Sequence, residues 1–216
     1  MKLYTYFRSS ASFRVRIAME LKGLSYEPTF IHLTRNGGEQ NTAEFQEINP
    51  QGFVPVLVDD DGNRITQSLA IIEYLEEKYP DTTPLLPKDT AGRARVRSLS
   101  LLISSEIHPL NNLRVLGYLT GPMGLSEEQK LAWYKHWIDL GLTQLEQRLA
   151  NEKGTGKFCH GDAPTIADCA LVPQIFNAQR FECDLSKMPT VMRIFNTCMA
   201  LQAFRSAHPS KQPDAA

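Results

Sequence analysis

"YFRSSASFRVRIAMELKG", residues 6–23, changes character part-way through. The aromatic and β-branched run that leads into it, "KLYTYF", has the composition of a strand. From Ser12 to Leu21 the apolar residues Val15, Ile17, Ala18 and Leu21 fall near helical spacing, and Gly23 supplies a stop. The reading is strand, serine-rich turn, helix. One hydroxyl is enough to cap a helix, so Ser9, Ser10 and Ser12 admit two readings: a plain turn with its N-cap, or hydroxyls placed at a helix N-terminus to meet an anion.

Further along, "YEPTFIHL" (26–33) is a second strand candidate. A polar interval follows, with room for a short helix, and then "NPQGFVPVLVDDDGNRIT" (49–66). Within it "VPVLV" reads as a strand, "DDDGN" as a hairpin turn and "RIT" as the partner strand. "QSLAIIEYLEEKYP" (67–80) opens with Ser68 as the expected N-cap and puts Leu69, Ile72, Leu75 and Tyr79 on one helical face. "PDTTPLLPKD" (80–89), with three prolines, cannot continue that helix and reads as a linker that buries little.

Beyond the linker the pattern becomes helical throughout. Val96, Leu99, Ile103 and Ile107 repeat at helical spacing, as do Ile138, Leu142, Leu145 and Leu149. In "PTIAD" (164–168) Thr165 and Asp168 have the spacing of a capping box. "HPSKQPDAA" (208–216) has the composition of a tail.

The 216 residues are comfortable for two domains. With 23 basic against 24 acidic residues and no block of either sign, nothing suggests a nucleic-acid or acidic-membrane partner. No apolar run approaches the roughly 20 residues of a membrane span. Cys159, Cys169, Cys183 and Cys198 lack metal-ligand or redox spacing and read as small buried hydrophobes. With no secretory segment before Leu3, a reducing cytoplasm is the expected compartment. The five histidines have no metal-ligand spacing, and no metal site is expected.

The segments "YFRSSASFRVRIAMELKG", "NPQGFVPVL", "QSLAIIEYLEEKYP" and "TIADCALVPQ", with "QPD" near the end, resemble the zeta class of cytosolic glutathione transferases over nearly the whole chain, from about Leu3 to Pro213. That class includes maleylacetoacetate isomerases and, as bacterial relatives, maleylpyruvate isomerases. The resemblance implies an α/β plus all-α protein. A thioredoxin-like, glutathione-binding domain (1–82) is followed by a linker (83–88) and a helical-bundle, substrate-binding domain (89–216). It also implies glutathione as cofactor and a homodimer. One departure lies in the most diagnostic motif: where the family commonly has Ser-Ser-Cys-Ser, Ala11 stands in place of the cysteine. A methyl group is no nucleophile, so any isomerase activity rests on the serines and on glutathione's own sulfur.

Carried over position by position, the resemblance assigns Ser9 to the glutathione sulfur, Ser10 to a supporting catalytic role, and Ala11, Ser12 and Phe13 to the same binding turn. Ser9 is a thiolate stabiliser in this reading rather than a nucleophile, since no local histidine or acid could activate it. The Val54-Pro55 bond resembles the family's cis-proline, whose preceding residue pairs with the cysteinyl backbone; residues alone would favour a trans bond. Gln67 and Ser68 are assigned the γ-glutamyl carboxylate, and Gln40 the glycyl end. In "EIHPLNNLR" (106–114), His108, Asn112, Leu113 and Arg114 fall at further binding positions.

The implied reaction is cis–trans isomerisation of a dicarboxylate with a conjugated double bond. Rotation requires that bond to become single for a time, which reversible thiolate addition achieves, and a dianionic substrate then needs fixed cations nearby. Arg8 and Arg180 are the candidates, because a guanidinium fork matches a carboxylate. Arg14 and Arg16 fit the same description, but on a helix they would equally suit solvated faces or pairing with acids such as Glu20. Maleylacetoacetate and maleylpyruvate are not separated by the sequence. A general glutathione-conjugating enzyme and a non-enzymatic module are the rival readings.

Overall fold

A computed structural model describes residues 1–215. The first strand, β1 (Lys2–Thr5), runs into helix α1 (Ser10–Lys22), whose end at Gly23 adopts the left-handed conformation (φ 65°) that glycine takes without strain. After β2 (Glu27–Phe30) come two single 3-10 turns and a short helix α2 (Ala43–Ile48). The hairpin β3 (Val56–Val58) and β4 (Arg64–Thr66) follows, then α3 (Ser68–Lys78). The sheet order is β2-β1-β3-β4. β1 is parallel to β2 and antiparallel to β3, with Leu3 opposite Pro28 on one side and Leu57 on the other.

The second half is helical: α4 (Thr90–Leu101), α5 (Leu113–Thr120), α6 (Glu127–Asn151), α7 (Ile166–Arg180), α8 (Pro189–Met199) and α9 (Gln202–Ser206). Both apolar repeats of the sequence are buried as expected. α4 passes into a π-helical segment, Leu102–Ile107, and a 3-10 turn, His108–Asn111. The Thr165–Asp168 capping box forms: the Asp168 carboxylate accepts from the Thr165 amide at 2.8 Å, and also from the Cys159 amide at 2.8 Å. Burial raises the Asp168 pKa and pushes the neighbouring Cys159 and Cys198 thiols up, so these cysteines are packed thiols rather than thiolates.

Contacts divide the chain into two compact units, residues 1–85 with those from Met199 onward, and residues 86–198. The sequence placed everything after residue 88 in the helical domain and read the C-terminus as a tail. Instead α9 packs on α1, and Asp214 accepts a hydrogen bond from the Phe7 amide at 2.9 Å. The linker also buries more than its prolines suggest, since Leu85 and Leu86 are both interior and the Leu85 amide donates to Glu76. In α3, Ile71 is buried beside Ile72 and Leu75, while Leu69 and, just past the helix end, Tyr79 are half-exposed.

Candidate functional site

Ser9 is the N-cap of α1. Its extended backbone ends β1's excursion, and its Oγ accepts from the Ser12 amide at 3.2 Å. Acting as an acceptor for the helix leaves the hydroxyl proton free to donate elsewhere. Ser10, buried, and Ala11, half-buried, occupy the first helical turn. Ser12 and Phe13 turn inward: Ser12 is fully buried with its Oγ unpartnered, and Phe13 lies in the core with its amide bonded to the Ser9 carbonyl. Thus the fold uses Ser9, not Ser12, as the cap.

Arg8 is exposed beside Ser9 and held over an aromatic platform. Its Nε and Nη2 donate to the Tyr6 hydroxyl at 3.2 and 3.0 Å, and the guanidinium lies 5.1 Å from the Phe7 ring centre. Tyr6 belongs to a small core with Phe45, Val54 and Val56, which ties this loop to the chain before β3.

The Val54–Pro55 bond is cis. Asn49 braces the preceding loop by donating from Nδ2 to the Phe53 carbonyl at 2.8 Å and accepting from the Gln51 amide at 3.1 Å. Gln40 stands on the 3-10 turn Glu39–Asn41, its Nε2 donating to the Leu33 carbonyl while its Oε1 is buried without a partner. The preceding Gly38 has φ 96°, and a Cβ there would stand 2.5 Å from Gln40 Nε2.

At α3 the expected cap shifts by one residue. Ser68 is the first helical residue and is buried; the N-cap is Gln67, at φ 69°, with no side-chain cap bond. That backbone region is uncommon for residues other than glycine, and the Gln67 side chain bonds instead to Gln51 at 3.0 Å. The first turn of α3 therefore presents amides and the positive end of its dipole with no side chain of its own to meet them.

Neither Arg14 nor Arg16 is solvated or paired with Glu20: both are buried. Arg16 gives hydrogen bonds to Thr5 Oγ1 and to the carbonyls of Tyr6, Phe7 and Ala207. Arg14 reaches Ser68. Helical spacing could not separate these arginines from surface ones, because α1 is buried nearly all round.

The remaining candidates lie in the second unit. His108 begins the 3-10 turn after the π-helical segment. Asn112 caps α5, its Oδ1 accepting from the Arg114 amide at 3.1 Å, and Leu113 and Arg114 are exposed. Arg180 ends α7 with its guanidinium 4.7 Å from the Phe181 ring centre, and Phe181 in turn packs on Tyr134.

Two helix N-termini in one unit, one bearing a serine hydroxyl and one lacking any side-chain cap, form a donor set that suits a thiolate and a carboxylate. Residues 8–78 match the glutathione S-transferase N-terminal domain model and residues 138–202 the C-terminal one. A probable maleylacetoacetate isomerase of Vibrio cholerae is 48% identical over 99% of this chain and 97% of its own. A maleylpyruvate isomerase described as a bacterial zeta-class glutathione S-transferase superimposes with a TM-score of 0.95 at 45% identity, covering all of both chains.

The chain belongs to the zeta class of glutathione S-transferases. A further relative, a maleylacetoacetate isomerase from Methylobacterium extorquens AM1 solved with malonate and glutathione, superimposes with a TM-score of 0.96 at 45% identity over the full length of both chains. The thioredoxin-like plus helical architecture expected from the resemblance is therefore that of this zeta-class transferase, with the C-terminal residues returned to the first unit.

Proposed function

We propose that this zeta-class transferase is a glutathione-dependent cis–trans isomerase acting on maleylacetoacetate, with maleylpyruvate as the alternative substrate. The observation that carries the reading is Ser9 at the N-cap of α1 with the Arg8 guanidinium beside it. A hydroxyl and helix end that favour a thiolate thus sit one residue from a cation that suits a carboxylate. When bound, glutathione supplies a thiolate that adds reversibly to the alkene, makes the bond rotatable and leaves unchanged.

The chain's own residues then have separable tasks. Ser9 donates to the sulfur and, with the α1 dipole, lowers its proton affinity. Ser10 and Ala11 shape the turn around it, and Ala11 leaves the sulfur as the sole nucleophile there. Val54, Pro55, Gln40, Gln67 and Ser68 hold the tripeptide, and His108, Asn112, Leu113 and Arg114 are assigned contributions from the second unit. Arg8 and Arg180 take substrate carboxylates and offset the charge that develops on the carbonyl oxygen. We also assign the protein a homodimeric state and a cytoplasmic location.

The test is a parallel assay of maleylacetoacetate, maleylpyruvate and a neutral aryl halide, with and without glutathione. The cis diacids should isomerise only when glutathione is present, with glutathione recovered intact. Full-rate isomerisation without it would overturn the proposal, and preferred conversion of the aryl halide would favour a general conjugating enzyme.

A further inference from the structure

Arg14, in the middle of α1, is 2% exposed, yet only one of its nitrogens has a partner. Nη1 donates to Ser68 Oγ at 3.2 Å, while Nε and Nη2 are buried without hydrogen bonds. Burial lowers its pKa to about 10 with no neighbouring charge opposing the shift, so the guanidinium stays charged at neutral pH. A buried charge lacking a counter-ion strongly opposes folding unless something compensates it. Arg16 shows the contrast: equally buried, it places its donors on four oxygens.

Ser68, Arg14's one partner, opens a helix whose first turn no side chain caps. Because the Ser68 oxygen accepts from Arg14, its own proton is left to donate to another group. A helix end, a hydroxyl and a buried guanidinium with two unpartnered nitrogens converge there.

We propose that Arg14 is a positioning residue for an anion at the N-terminus of α3: it fixes the Ser68 hydroxyl and supplies the buried positive charge for the γ-glutamyl carboxylate of glutathione. This rests on the reading of glutathione as cofactor. The carboxylate supplies the counter-charge for the buried Arg14 guanidinium. An arginine that only filled space would be indifferent to that carboxylate.

The test compares calorimetric binding of glutathione and of 4-aminobutyryl-cysteinylglycine, the same tripeptide without its glutamyl α-carboxylate, to the wild type and to Arg14→Met, Arg14→Lys and Ser68→Ala. The wild type should prefer glutathione. Arg14→Met should weaken glutathione about 10- to 100-fold and abolish the preference, since a charge-assisted hydrogen bond is lost. Its ligand-free melting temperature should equal or exceed that of the wild type, because an unpaired buried charge is gone. Equal weakening of both ligands, or an unchanged preference, would overturn the proposal while leaving the cofactor reading intact. Should Arg14→Met not fold, Arg14→Lys and Ser68→Ala must each reduce the preference; retention in both overturns it. A wild type that binds neither ligand removes the cofactor reading and this proposal together.

Discussion

The Arg16 guanidinium donates through Nε to the backbone carbonyl of Ala207 at 3.1 Å, joining α1 to a segment 191 residues further along the chain. The same side chain bonds Thr5, Tyr6 and Phe7, so one buried cation fastens the end of β1, the loop before Ser9 and the C-terminus. Arg16→Met should strand four acceptors and lower stability by about 3 kcal/mol or more, read as a shift in the urea midpoint. Arg16→Lys should recover part of that loss. A midpoint unchanged in Arg16→Met would show that the C-terminal segment is held otherwise.

Ser9 has a structural role and a proposed chemical one, and two substitutions separate them. Ser9→Ala removes the cap and should cost about 1 kcal/mol. It should also raise the pKa of the bound glutathione thiol, followed by thiolate absorbance. Ser9→Asp restores a capping acceptor and hence stability, but places a negative charge where the thiolate forms, so the thiol pKa should rise further still. A thiol titration that is the same in all three proteins removes Ser9 from the chemistry.

Gly141 in α6 lies against Ile107, the last residue of the π-helical segment; a Cβ there would stand 2.3 Å from Ile107 Cγ1. Gly141→Ala should therefore push Ile107, and with it the turn that begins at His108, at a cost of about 1 to 3 kcal/mol in unfolding free energy. If His108 serves the cofactor, glutathione affinity should fall in the same variant. Stability loss with unaltered affinity would confine His108 to a packing role.

His208 gives a pH signature. Burial, then the charges of Arg16 and Lys211, lower its folded-state pKa below the ordinary 6.5; its ring lies edge-on to Phe13 and its Nδ1 accepts from the Ser210 amide at 3.2 Å. As pH falls through 6.5 the unfolded chain takes up a proton that the folded one resists, so stability declines on the acid side. His208→Gln should flatten the stability profile below about pH 6.5. An equal acid slope in wild type and variant would assign it to other groups.

Arg180→Ala should depress turnover of the acidic substrate about 30- to 1,000-fold, the effect of removing a group that offsets charge developing in the transition state, with glutathione affinity little changed. Equal losses in both would move Arg180 out of substrate recognition.

Where one residue's immediate neighbours decide the outcome, the amino-acid order was enough. The strand–turn–helix of residues 2–23, the helical repeats through Val96 and Ile138, and the Thr165–Asp168 capping box are all local patterns. The Ser-rich turn and its surrounding motifs likewise pointed to the family, because those side chains follow one another along the chain.

Tertiary packing decided what local spacing leaves open. Arg14 and Arg16 have the sequence context of surface arginines, and only the all-round burial of α1 makes one a fastener and the other an uncompensated charge. The polar, proline-containing C-terminus resembles a loose tail until α9 and Asp214 return it to the first unit. Ser68 yields the cap to Gln67 because α3 starts from a strained backbone between the hairpin and the helix, and a left-handed φ at a glutamine carries no mark in the sequence. In each case the deciding energy comes from partners far away in the chain, and periodicity carries no information about them.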